Sequence, residues 1–394
     1  MIQFLEEKRK RDYGDRMPDV CGGRLSGYAE SFRELAKSFE REKPSKVIDR
    51  RSYWEEEKLR ENCGAIAGHL KELADIMEQT AGEFSLLEPL DEKSRKKLFQ
   101  VLKGEEIILE GACVIPSSVY GKQLSLRLRT QREGGILSEK LEELMKGFAG
   151  DKYCLSMYAP GSVERESKTF LFVERPKYMV FTGFARVVKG REEVSGDNYS
   201  FLQSERGKLT LMLSDGTGSG EQACMESSWV LDLTEKLLEN GYGTEAALHL
   251  VNAAAVARGE GIGHPTLDMC QLDLRRGSCE FCKAGGAVSY RKRGHDVEEI
   301  SGGRLPLGIF QNLEAHRSVL NLKEGDSVIM LTDGVLEAFR EKGYEEAVRD
   351  AIAVLEAENP RELSEKLMQL AIFGSQGNIR DDMTILAAAL WKNP

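Results

Sequence analysis

Apolar positions along the first 85 residues recur at helical spacing. Tyr28, Phe32, Leu35 and Phe39 fall 4, 3 and 4 apart. After a polar break at Lys43-Pro44-Ser45 the alternation resumes in Leu59, Cys63, Ile66, Leu70, Leu73 and Met77. This 4–3 spacing predicts helices with one apolar seam, packed either within the chain or against a partner chain. Beyond residue 85 the period shortens. Leu124-Ser125-Leu126-Arg127-Leu128-Arg129 alternates apolar with polar, as a half-buried strand does. Similar reasoning predicts strands over 106–115, 123–130, 152–159 and 168–173 and helices over 94–102 and 137–148. Together they make a small α+β unit without a catalytic constellation.

From Lys177 onward strand-like runs dominate, at 178–188, 199–203 and 208–214. Two helical stretches follow, 221–240 and 244–259. Further strands are expected at 266–274, 278–283, 287–291, 316–320 and 327–332. Helices starting at Tyr344 and Pro360 then precede a last strand, 383–391. Strands in succession, with helices inserted in pairs, predict antiparallel sheets covered by helices rather than alternating βαβ units. The expected organisation is helical over 1–85, a small α+β domain over 86–175, and a third domain over 176–394.

A length of 394 residues fits two or three cores rather than one. The 41% apolar and 30% charged fractions place the chain among globular proteins. A formal charge of -10 argues against a general affinity for nucleic acid. The first residues lack a signal-peptide apolar core, and no window is apolar enough to span a bilayer. The eight cysteines are scattered, several within strand-like runs, which fits reduced thiols and a cytoplasmic location. Cys279 and Cys282 are three apart in an extended segment and should face opposite sides.

Candidate chemistry lies at strand ends. Leu209 to Ser214 runs into Asp215-Gly216-Thr217-Gly218-Ser219-Gly220, and Val328 to Thr332 runs into Asp333-Gly334. Asp381-Asp382 precedes Met383-Thr384-Ile385-Leu386, and Asp197 opens the strand at Tyr199. A single Asp-Gly after a strand is an ordinary turn signal. Several carboxylates delivered from several strand ends can instead converge on hard divalent cations. Two such ions about 3.5–4 Å apart can share a water and lower its pKa for attack on phosphorus. A glycine lets the backbone carbonyl come close enough to act as a ligand.

In order and spacing, Ser195-Gly196-Asp197-Asn198-Tyr199-Ser200, Asp215 to Gly220, Gly325-Asp326 with Leu331-Thr332-Asp333-Gly334, and Arg380-Asp381-Asp382-Met383-Thr384 resemble the metal-dependent PPM (type 2C) phosphatases. Thr266-Leu267-Asp268, Lys283-Ala284-Gly285-Gly286-Ala287 and Leu305 to Ile309 support the likeness, which covers about 179–390. It implies an α+β fold, an antiparallel β-sandwich flanked by helices in α-β-β-α layers, holding two Mn²⁺ or Mg²⁺ ions. It also implies that Asp215 bridges the metals and that the Gly216 carbonyl binds one of them. Asp333 and Asp381 complete the other site, and Asp197 acts through water or at the outer edge. Asp381 rather than Asp382 is taken as the ligand by family analogy, since neighbours along a strand cannot both point inward.

The resemblance further implies phosphoserine hydrolysis by a metal-bridged hydroxide, without a phosphoenzyme. The 61–77 helix and the domain after it are similar to the regulatory part of a sporulation branch of the family. That branch implies a phosphorylated anti-anti-sigma factor as substrate, contact with a cell-division protein, and membrane attachment only through a segment outside these residues. A homodimer through the N-terminal helices is a further expectation. Two features depart from the pattern. Many eukaryotic members carry Asp-Gly-His-Gly where Thr217 stands here, leaving the proton donor unassigned. Their phosphate-binding arginine has no clear counterpart near Asp197. The rival readings are a catalytically silent scaffold of the same fold and a two-metal phosphoesterase acting on small phosphates. The five histidines lack paired zinc spacing, position 217 breaks a G-x-S-x-G elbow, and no P-loop occurs.

Overall fold

The computed structural model describes residues 24–38, 50–85, 88–117, 121–156, 159–190, 192–204, 207–258, 263–301, 305–310, 313, 316–339 and 344–393. The chain divides into two compact units, Met1–Arg175 and Pro176–Pro394.

The first unit opens with helices α1 (24–38) and α2 (Arg50–Ser85). Ser26 Oγ donates to Glu78 Oε1 at 3.2 Å, and Arg33 pairs with Asp75 at 3.0 Å, so the two helices run antiparallel side by side. The buried stripe differs from the expected seam. It consists of Ala29 and Ala36 on α1 and Cys63, Ala67, Ala74 and Ala81 on α2, while Tyr28, Leu35 and Ile66 stay exposed. Small side chains let the backbones approach closely and push the larger residues to the flanks. Phe39, the 43–45 break and the Leu59 side chain lie outside the described residues.

The rest of this unit comprises β1 (Glu88–Pro89), α3 (Glu92–Lys103), β2 (Ile107–Ser117), β3 (Gly121–Thr130), β4 (Ile136–Leu137), α4 (Ser138–Ala149), β5 (Tyr153–Leu155), β6 (Ser162–Val163) and β7 (Lys168–Glu174). Its main sheet has the order β1-β2-β3-β7-β5. Leu98 and Leu102 of α3 and Leu141 and Met145 of α4 pack on Leu124, Leu126 and Leu128 of β3. The strand expected over 152–159 is confined to β5.

The second unit contains β8 (Tyr178–Val187), β9 (Asp197–Ser204), β10 (Lys208–Asp215), α5 (Gly220–Glu239), α6 (Thr244–Arg258), β11 (Leu267–Asp273), β12 (Ser278–Ala284), β13 (Ser289–Arg293), β14 (Asp296–Ile300), β15 (His316–Asn321), β16 (Ser327–Leu331), α7 (Asp333–Ala338), α8 (Tyr344–Val354), α9 (Pro360–Gly374) and β17 (Met383–Lys392). Two antiparallel sheets form, β15-β12-β11-β10-β9 and β14-β13-β16-β17-β8. Three apolar layers define the stacking. Met212, Met269 and Cys282 of the first sheet pack on Val230 of α5 and Val251 of α6. Leu211, Leu213, Cys270 and Phe281 meet Val328, Met330, Leu386 and Leu390 between the sheets. Ile329, Ile385 and Ala387 of the second sheet pack under Ile352 of α8 and Leu367 of α9. The order is therefore α-β-β-α, as expected. Strands β10 and β17 are buried on both faces, which explains their unbroken apolar runs. Cys279 and Cys282 do face opposite layers. Two elements escaped the periodicity: β14 is too polar, and Asp333-Gly334 opens helix α7 instead of a turn.

Candidate active site

The apolar runs of the central strands end at one rim of the sandwich, and there the carboxylates begin. Asp215 closes β10 and pairs directly with Asp197, the first residue of β9. On the other sheet Asp333 opens α7 just after β16, and Asp381-Asp382 leads into β17, which pairs with β16. Gly334 lies so close to the Asp382 carbonyl that no side chain could fit. The first sheet thus contributes two aspartates and the second three.

The electrostatics record this convergence. Burial first, and then the charges of Asp197, Asp333 and Asp381, push the Asp215 carboxyl up to about 9. Asp197, 1% exposed, is raised to about 6 by burial, against the opposing pull of the Thr384 and Thr332 side chains. Burial also raises Asp381, with the Asp333 charge adding to it. Thr332 Oγ1 donates to Asp197 Oδ2 at 3.0 Å, whereas Asp197 Oδ1 is buried without a donor among the described residues. Like charges held together with an orphaned carboxylate oxygen call for cations, and an all-oxygen donor set suits Mg²⁺ or Mn²⁺. Among the described residues no three acidic, imidazole or thiol side chains close into a ligand cage. Ions here would keep several waters, as small hard cations do.

The adjacent aspartates divide. Asp382, 3% exposed, accepts from the backbone N–H of Lys189 at 2.8 Å and of Gly196 at 2.7 Å, so both its oxygens face inward. Asp381 is half-buried and accepts the Asp382 N–H at 3.0 Å on Oδ1. The Asp381 charge raises Asp215, whereas that of Asp382 bears on Asp197 and Asp381.

Several positioning groups lie outside the expected ligand set. Thr266 takes the Asp215 N–H on its hydroxyl at 2.9 Å and returns its own N–H to the Asp215 carbonyl at 2.8 Å. Ser214 Oγ closes the same junction on the Thr266 carbonyl at 2.6 Å. Glu226 of α5 accepts from the N–H of Thr217 at 3.3 Å and of Gly263 at 3.0 Å, tying the loop after Gly216 to the helix. The Thr217 hydroxyl accepts the His264 N–H at 2.5 Å, and His264 Nδ1 contacts the Leu307 carbonyl at 3.3 Å. Arg186 does reach Asp197, but its Nη2 donates to the backbone carbonyls of Asp197 and Ser195. It braces the loop rather than facing a phosphate.

A sandwich of two antiparallel sheets, covered on both outer faces and carrying aspartates of both sheets on one rim, is the PP2C phosphatase fold. A solved fragment of SpoIIE from Bacillus subtilis, containing its PP2C phosphatase domain and part of its regulatory domain, aligns with a TM-score of 0.63 at 24% identity. That alignment covers 88% of this chain and all of the solved one. Residues 205–391 match the family model of stage II sporulation protein E (SpoIIE). It is 36% identical over 217 residues to stage II sporulation protein E of Priestia megaterium, covering 55% of this chain and 37% of that protein. Against the Bacillus subtilis (strain 168) protein it is 33% identical over 223 residues, 56% and 27% of the two lengths. The chain therefore spans about a third of the curated relatives it matches. Phosphoserine phosphatase RsbU of Bacillus subtilis is 20% identical over 203 residues, half of this chain and 59% of RsbU. Among the described residues no helix is long and apolar enough to cross a membrane.

Proposed function

We propose that this chain is a metal-dependent protein serine/threonine phosphatase that hydrolyses phosphoserine, with a phosphorylated anti-anti-sigma factor as its substrate. The carrying observation is the convergence of aspartates at the rim, where burial and then like charge raise the Asp215 carboxyl to about 9. Asp215, the Gly216 carbonyl, Asp333 and Asp381 are the residues that would hold two Mn²⁺ or Mg²⁺ ions, with Asp197 at the edge. Bound there, the ions would neutralise the carboxylates and supply an acidified water for in-line attack. The chain's own residues orient that set: Thr266 fixes the Asp215 backbone, Asp382 fixes the loop before Asp197, and Glu226 fixes the loop after Gly216. The match of 205–391 to the family model and the name of the RsbU relative support phosphoserine as the substrate class. In this reading 176–394 is the catalytic domain, 86–175 the regulatory domain, and 1–85 a dimerisation segment. Exposed Tyr28, Leu35 and Ile66 support the last assignment.

The test is phosphate release, with Mn²⁺, from a phosphorylated anti-anti-sigma factor, p-nitrophenyl phosphate and a cyclic dinucleotide. Wild type is expected to prefer the phosphoprotein, and Asp333→Asn to lose more than about 100-fold, beyond what loss of a supporting residue costs. Turnover of the small phosphates alone would favour a small-molecule phosphoesterase. No turnover of any substrate would leave a silent scaffold.

A further inference from the structure

Lys283 is completely buried, and its position is not explained by the chemistry of the rim. Its Nζ donates to Asp268 Oδ2 at 2.6 Å and to Ser289 Oγ at 2.8 Å. Asp268 is 2% exposed, Ser289 is fully buried, and Asp268 Oδ1 has no partner among the described residues. Burial raises the Asp268 carboxyl while the Lys283 charge opposes the rise. Gly286 lies so close over this carboxylate that a Cβ there would overlap it.

The strand periodicity places the trio between the sheets. Cys270 and Leu272 of β11, and Cys279 and Phe281 of β12, belong to the inter-sheet core. Asp268 and Lys283 share their parity, and the two are directly paired across the strands. Ser289 lies on the other sheet, and its neighbours Val288 and Tyr290 face the outer layer, which leaves Ser289 facing inward. The Lys283–Ser289 bond therefore crosses from one sheet to the other.

Its level matters. Asp268 pairs with Leu213, two residues before Asp215. Ser289 precedes Tyr290, which pairs with Ile329 of β16, the strand that leads into Asp333. The bond thus lies just beneath the rim, tying the sheet that carries Asp197 and Asp215 to the sheet that carries Asp333 and Asp381. A buried ion pair is weak evidence for stability, because apolar groups of similar size commonly serve as well or better. Fixing a distance is something apolar groups do less sharply.

We propose that Asp268, Lys283 and Ser289 are positioning residues, a cross-sheet strut that sets the separation of the two halves of the carboxylate cluster and so its affinity for divalent cations. The strut rests on the metal-dependent reading of the rim. Mn²⁺ binding is measured by isothermal titration calorimetry on the full chain, with thermal melts in chelator alongside. Ser289→Ala, which keeps the ion pair and removes the cross-sheet bond, should weaken Mn²⁺ binding by about 10-fold, the low end for loss of a supporting residue. Ser289→Thr, which keeps the hydroxyl, should restore it. The double variant Asp268→Leu with Lys283→Met should melt at or above wild type yet bind Mn²⁺ about 10- to 100-fold more weakly. Wild-type affinity in either Ser289→Ala or the folded double variant overturns the strut and leaves the metal site standing. If the double variant does not fold, Ser289→Ala decides alone. Absence of Mn²⁺ binding by wild type would instead overturn the metal-dependent reading and the strut with it.

Discussion

Replacing Asp382 by Asn changes one oxygen to a nitrogen and isolates what the inward-facing carboxylate does. Both oxygens take buried backbone N–H groups, from Lys189 and Gly196, at 2.8 and 2.7 Å. Hydrogen bonds to a charged partner contribute about 1.5–3 kcal/mol each, and a buried donor left without an acceptor costs about 1–3 kcal/mol. Asn keeps one acceptor and sets an NH₂ against the other N–H, so one bond is lost and one donor orphaned. The expected loss is about 2–4 kcal/mol, read as a melting temperature lower by roughly 4–16 °C for a unit of this size. Asp381→Asn is the matched control. Its oxygen can still accept the Asp382 N–H, so stability should change by less than about 1 kcal/mol, while Mn²⁺ affinity should fall by more than about 100-fold. Urea unfolding in chelator gives the stabilities, and calorimetric titration gives the affinities. If Asp382→Asn is as stable as wild type, or loses more Mn²⁺ affinity than Asp381→Asn, the division of roles between the two is wrong.

Two further outcomes follow from the rim. Asp215 binds its proton up to about pH 9 in the folded chain but only to its ordinary value of 3.8 when unfolded. Its contribution to stability is therefore fully present below pH 3.8 and is lost progressively as pH rises toward 9. Metal-free wild type should lose stability between pH 5 and 8.5 relative to Asp215→Asn, which cannot ionise; parallel melting curves across that range would contradict the shift. Gly216→Ala should destabilise by about 1–3 kcal/mol and impair Mn²⁺ binding, since a Cβ there would overlap the Ala223 carbonyl of α5 and force the helix away. Unchanged melts and titrations would show that the contact is not tight.

Much of the site was legible because apolar strands must end where the sandwich ends, and the residue types at those ends stand out. Asp215, Asp333 and Asp381 are visible as Asp-Gly or Asp-Asp junctions beside Leu- and Ile-rich runs. The choice between Asp381 and Asp382 was not legible, because it depends on N–H groups of Lys189 and Gly196 almost two hundred residues away in the chain. The positioning roles of Thr266 and Glu226 were not legible for a similar reason: their partners lie on loops whose approach only the tertiary fold sets. In the N-terminal helices the error had a different origin. The periodicity of Tyr28, Phe32 and Leu35 is real, but alanine carries little weight in a hydrophobic pattern and is what permits close helix packing, so the buried stripe lies one residue over, at Ala29 and Ala36.

The arrangement separates two tasks that a carboxylate cluster sets against each other. Affinity for cations needs anionic oxygens brought together, and holding them buried side by side destabilises the metal-free fold; burial first, and then like charge, raise Asp215 to about 9. Of the groups that fix the cluster, only Asp382 adds to that repulsion, its charge raising Asp197 and Asp381. Thr332 and Thr266 are neutral hydroxyls, the Asp382 charge is offset by two N–H groups, and the Asp268 charge faces a lysine. Relaxing the cluster by letting the sheets drift apart would relieve the repulsion, and only contacts that cross between the sheets oppose that drift. Thr332 to Asp197, Asp382 to Gly196 and Lys283 to Ser289 all cross it, the first two at the rim and the third beneath it. Fixed separation of the two sheets, more than the acidity of any one residue, is what the site's chemistry depends on.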